Sequence, residues 1–111
     1  MNKTQAQRWH AKWRAKERYG VHVNKATYKE LVTNIQAHKG AKFVVRLSGR
    51  LTIWGVDYQD KHLWLVYDGS RHNIVTFLPP DLTEDLIKEQ AAAGGYREYQ
   101  LALAKKEQAH E

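Results

Sequence analysis

Beyond Lys42 the apolar pattern changes period, and this switch limits the possible folds more than any other feature of the chain. Four short runs rich in β-branched and aromatic residues follow one another, at 42–48, 51–57, 62–67 and 73–78. Ser48-Gly49-Arg50, the stretch Gln59-Asp60-Lys61 and Gly69-Ser70-Arg71 separate them and are of hairpin length, so an antiparallel meander is the natural topology. Pro79 and Pro80 end the last run, because proline cannot donate to a ladder.

Ahead of the strands the composition is helical. Residues 3–19 are strong helix formers, with Trp9 and Trp13 one turn apart and expected to bury a stripe against a neighbour. Gly20 stops this helix. A second is capped by either Asn24 or Thr27, the latter having capping-box spacing to Glu30, and is expected to end near Gly40. Asp81 and Glu84 offer another capping box before Leu82, Leu86 and Ile87, and Gly94-Gly95 interrupts that helical region. The expected architecture is an α+β domain spanning 1–95. Two N-terminal helices pack on a four-stranded antiparallel meander, with the helices segregated to one face and a C-terminal helical region following. Residues 96–111 read as a helical extension or a partly frayed tail.

At 111 residues the chain has the size of one domain. It contains no cysteine, which removes disulfides, thiolate metal sites and cysteine nucleophiles. No apolar run is long enough to span a bilayer, and no apolar h-region follows the basic N-terminus, so a cytoplasmic protein is expected. The charge is divided unevenly. Residues 1–50 hold 12 Lys/Arg against 2 Asp/Glu, or +10, whereas 51–111 hold 6 against 10, or −4. A basic half of this kind favours RNA or another nucleic acid as partner, since neutralising phosphates releases counterions.

Within that half His10, Arg14 and Arg18 recur at i, i+4 and i+8, on one side of a helix. Imidazole moves protons near neutral pH, and guanidinium fits phosphate oxygens with a rigid fork of donors. A histidine beside two arginines is a phosphate-handling surface and a candidate for both binding and acid–base catalysis. His10 suits the acid or base, Arg14 the charge at a phosphate, and Arg18 a neighbouring phosphate, with Arg8 and Lys12 as further RNA contacts. Arg46 interrupts an apolar strand. Simple alternation puts it on a face with Val44 and Ser48, where it can lie over the sheet beside Thr76. Trp9 and Trp13 read as core residues, and only solvent-facing tryptophans would suggest base stacking.

The run His10-Ala11-Lys12-Trp13-Arg14, continued by Arg18-Tyr19-Gly20-Val21, resembles the HAxxR…RxG opening of small phage and bacterial domains. Those domains are grouped with the barnase, EndoU, colicin and RelE-like ribonuclease superfamily. Trp64-Leu65-Val66-Tyr67-Asp68 and Asn73-Ile74-Val75-Thr76-Phe77-Leu78-Pro79 are similar to their last two strands, so the resemblance covers about the first 80 residues. It implies metal-independent endoribonuclease action, often in a toxin or phage setting, with His10, Arg14, Tyr67 and Thr76 as site residues. An antitoxin or host protein is then a further partner. The rival expectations are a non-enzymatic binder of nucleic acid or of a host protein, and a protein inhibitor that mimics another ligand. No cofactor is implied. His62 and His72 flank neighbouring strands and can meet across the sheet, but lack the spacing of a metal site. P-loop, dinucleotide and nucleophile-elbow motifs are absent from the sequence.

Overall fold

A computed structural model describes residues 2–93. The expected extension at 96–111 and the Gly94-Gly95 break lie outside the described residues. Helices α1 (Lys3–Tyr19) and α2 (Lys25–Ala37) precede strands β1 (Ala41–Arg46), β2 (Leu51–Tyr58), β3 (Lys61–Asp68) and β4 (Asn73–Phe77). A third helix, α3, covers 84–93. The sheet is an antiparallel meander in the order β1-β2-β3-β4.

Local chemistry sets the helix ends. Asn2 and Gln5 form a reciprocal capping box at α1, with the Gln5 amide donating to the Asn2 side chain at 2.8 Å. Gly20, at φ +67°, closes that helix in the left-handed region where glycine is favoured. Asn24 caps α2 by accepting from the Thr27 amide at 2.8 Å, so the asparagine prevails over Thr27. That helix ends at Ala37, with His38 as its left-handed cap, before Gly40 is reached. Thr83 accepts from the Leu86 amide at 3.2 Å and caps α3, which leaves Asp81 ahead of the helix it was expected to cap.

The sheet buries both faces. On one side Ala11, Ala15, Leu31 and Ile35 of the helices meet Trp54, Val56, Leu63, Leu65, Ile74 and Phe77. On the other, Leu82 and Ile87 pack with Val44, Ile53, Val66 and Leu78. The helices are therefore not confined to one face, because α3 covers the side that α1 and α2 leave open. Each large aliphatic side chain so enclosed contributes about 1.5–3 kcal/mol.

Two tyrosines fasten the helices to the sheet, Tyr28 on the edge strand β4, whose outward backbone groups need partners, and Tyr19 between β3 and the residue that follows β4. The Tyr28 hydroxyl accepts from the Ile74 amide at 2.8 Å and donates to the Ile74 carbonyl at 3.2 Å. The Tyr19 hydroxyl donates to the Leu78 carbonyl at 2.6 Å and accepts from the Trp64 amide at 3.1 Å. Burial pushes the Tyr19 phenol up to about 12, so it stays a donor at neutral pH.

The buried side of α1 is made by Ala11 and Ala15, both fully enclosed, and not by its tryptophans. Two small residues one turn apart let the helix backbone approach β4 closely. Trp9 and Trp13 stand two positions either side of Ala11, about 200° around the helix, and so face outward. This corrects the expectation that they line the core.

Candidate nucleic-acid interface

Because α1 runs along the β4 edge, the helix side next to its alanines borders a cleft of about 430 Å³ lined by Lys3, Ala6, Gln7, His10, Arg50, Arg71 and Val75. Val75 is the extra residue of a β4 bulge, since Thr76 pairs with Val66 while Ile74 pairs with Tyr67. Lys3 and His10 reach the cleft from one helix. The arginines come from the β1–β2 and β3–β4 turns.

A carboxylate orients the two arginines. Asp68 is fully enclosed and accepts from the Ser70 and Arg71 amides at 2.9 and 3.1 Å. Arg71 Nη1 lies 3.4 Å and Arg50 Nε 3.7 Å from its second oxygen. Burial pushes this carboxyl up. The Arg71 and Ser70 N–H groups, Gln7 and the Arg50 charge together outweigh that effect and hold it below the usual 3.8. It stays ionised and fixes the turn from which Arg71 projects. At His10, burial is the larger influence and the charges of Arg14 and Arg18 the next, and together they lower the imidazole below 6.5 despite Glu17. His10 is therefore neutral at neutral pH, able to accept a proton or a hydrogen bond. Two guanidinium forks, an ammonium and a neutral imidazole around one cleft suit an anionic oxygen cluster such as phosphate.

The other expected site residues do not line this cleft. Arg14 is paired with Glu17 at 2.7 Å, and its guanidinium lies 4.9 Å from the Trp13 ring centre. Arg18 donates to the Phe77 carbonyl at 2.6 Å and so ties α1 to the end of β4. Arg8 donates to Asn73 at 3.2 Å, and both Arg8 and Lys12 stand over the Tyr28 ring at 5.8 and 5.9 Å. Tyr67 is directed to the α1/α2 face, where its hydroxyl accepts from Gln36 at 3.1 Å and lies 3.4 Å from His72 Nδ1. Thr76 is buried and pairs with Val66, which packs on the α3 side. Of His10, Arg14, Tyr67 and Thr76, His10 alone borders the cleft, Arg14 lies on the same helix but is held at Glu17 and Trp13, and Tyr67 and Thr76 leave the sheet on opposite faces.

Arg46 is displaced from its expected face. Phe43 pairs with Trp54 and Val45 with Ile53, so Val44 is an extra residue and the strand's alternation inverts there. Arg46 consequently pairs with Thr52, itself paired with Tyr67, on the face away from Thr76 and at the other edge of the sheet. It donates to the Ser48 and Gly49 carbonyls at 3.4 and 3.1 Å. There it borders a hollow of about 550 Å³ with His38, Phe43, Trp54, Tyr67 and Arg50. Arg50 belongs to both the hollow and the cleft. This aromatic hollow escaped the sequence reading because the bulge that creates it leaves no mark in the hydrophobic pattern.

His62 and His72 do not meet. His62 lies 2.7 Å from Asp57 at one end of β3, whereas His72 sits with Gln36 and Tyr67 beyond the other end. Among the described residues there is no group of three or more His, Cys, Asp or Glu placed to hold a metal, and no helix long and apolar enough to cross a membrane. Compared with known proteins, the chain has no significant match to a family model, a curated relative or a solved structure.

Proposed function

We propose that this protein binds RNA through its basic N-terminal half, with phosphate held in the cleft between α1 and β4. The observation that carries this reading is the convergence of Lys3, His10, Arg50 and Arg71 on one cleft, above a buried carboxylate that orients the arginines. A surface with the outward cations of α1 added supplies affinity by counterion release, whatever the sequence bound. The test is binding of labelled total RNA and tRNA across a salt series. Affinity should fall steeply with salt, and a Lys3→Ala/Arg50→Ala protein should bind more weakly with a shallower slope. Salt-independent binding, or no loss in that variant, would sink the reading.

A second reading, that the bound RNA is also cleaved without a metal, is favoured by the state of His10. Burial and two neighbouring arginines keep its imidazole unprotonated at neutral pH, the form a general base requires. It would take the proton of a 2′-hydroxyl as that oxygen attacks phosphorus, the P–O5′ bond breaking and the departing 5′-oxygen taking a proton from water, with guanidinium charge stabilising the phosphorane. Incubation of RNA in EDTA decides this. Discrete cuts made by the wild type and lost in His10→Ala and Arg14→Ala proteins support cleavage, and intact RNA with the wild type excludes it.

A further inference from the structure

The outward side of α1 carries two residues that neither the core nor the cleft uses. Trp9 is 61% exposed and Trp13 49%, and their rings lie within 10° of parallel with centroids 6.4 Å apart. Large apolar side chains grouped on a surface mark a place of interaction. Cations surround this one. Lys12 and Lys16 line one hollow with both rings, Arg8 and Lys12 line another with Trp9, and Arg14 stands 4.9 Å from the Trp13 ring centre. The single acidic residue of α1, Glu17, is held by Arg14 at 2.7 Å.

That charge decides among the possible occupants. A protein docking on two indoles by apolar contact alone would bring them against a rim of uncompensated ammonium groups. A lipid surface needs a wide apolar helix face, and the remaining apolar side of α1, Ala11 and Ala15, is already buried against β4. Unpaired nucleotides supply both complements, a flat π face for each ring and a phosphate for each cation. A duplex keeps its base faces inside its own stack and offers only the phosphates.

We propose that Trp9 and Trp13 form a stacking platform for unpaired bases of single-stranded RNA, with Lys12 and Lys16 holding the adjoining phosphates. The inference rests on the reading of the chain as an RNA-binding protein and adds the strandedness of what it binds. Both rings are exposed, so their replacement leaves the core intact, which circular dichroism and a melting curve will verify.

The experiment is fluorescence anisotropy with a labelled U-rich single strand and with a duplex of equal length, using the full chain. The proteins are wild type, Trp9→Ala/Trp13→Ala, Trp9→Phe/Trp13→Phe and Lys12→Ala/Lys16→Ala. Loss of stacking should weaken single-strand binding by about fivefold or more, since an aromatic residue under a base is worth at least that factor. Duplex affinity and the salt slope should be unchanged in this variant. The phenylalanine protein should retain most of the single-strand affinity, and the lysine variant should show a shallower slope. Equal single-strand binding by wild type and the alanine variant overturns the proposal. So does an equal loss on both nucleic acids, or a loss that tracks a change of oligomeric state in light scattering, which would make the patch a self-association face. If the wild type binds neither nucleic acid, the RNA-binding reading itself fails. If it binds both and the tryptophans are neutral, only the platform fails.

Discussion

Replacing Asp68 by alanine tests the link between the stability of the fold and the geometry of the cleft. The carboxylate accepts two backbone N–H bonds, from Ser70 at 2.9 Å and Arg71 at 3.1 Å, while completely enclosed. Hydrogen bonds to a charged acceptor are worth about 1.5–3 kcal/mol each, so losing two should cost about 3–6 kcal/mol. The pairs with Arg50 and Arg71 are long and add little, as both arginines reach solvent. The folded carboxyl titrates below 3.8, so the folded state holds fewer protons than the unfolded one as pH falls through that range. The stabilisation is thus complete above about pH 5 and is lost progressively as pH falls past the unfolded value toward the lower folded one. Urea unfolding at pH 7 should show the full deficit of Asp68→Ala, and that deficit should shrink as the medium is acidified. A deficit below about 1 kcal/mol at pH 7 would refute this account of the turn, since it lies under the value of even one such bond. A deficit that persisted undiminished to the lowest pH would do the same for the role of the charge.

Other perturbations probe separate parts of the structure. Tyr28→Phe keeps the ring but removes both bonds to Ile74, and should cost about 1–3 kcal/mol in urea melts, with no measurable loss counting against the hydroxyl as the tie between α2 and β4. Gly55→Ala would set a methyl carbon 2.8 Å from the Trp64 ring and 2.9 Å from His62, so a destabilisation of about 1–3 kcal/mol is expected, and a stable variant would mean that both rings move freely aside. In NMR titrations the His10 imidazole should show a midpoint below 6.5, moving upward in Arg14→Gln. Its lowered value means that acidification through 6.5 protonates the unfolded chain first and destabilises the fold, a dependence that His10→Gln should abolish.

Part of the site was legible before any coordinates. His10, Arg14 and Arg18 occupy one side of a helix as their spacing requires, and the basic half of the chain supplies five of the cleft's seven residues, Lys3, His10 and Arg50 among them. Arg71 could not be placed by such reasoning, because it joins them only through a turn organised by Asp68. Arg18 has helix spacing suited to phosphate but spends a donor on the Phe77 carbonyl, a contact made possible by the approach of α1 to β4.

The order of elements followed from the sequence by itself. Helix formers, a glycine stop, a switch to β-rich runs and three short turns are local properties, and each acts within a few residues. Which way the side chains face was decided by tertiary structure. The bulges at Val44 and Val75 each add one residue, and one residue inverts the parity of a strand, which moved Arg46 to the face of Thr52 and set Thr76 opposite Tyr67. The exposure of Trp9 and Trp13 has a similar origin. A helix pattern offers more than one apolar stripe, and the stripe that is buried is the one whose size matches the neighbouring surface. Here the close approach to β4 selects Ala11 and Ala15, and the larger aromatic stripe is left to the solvent.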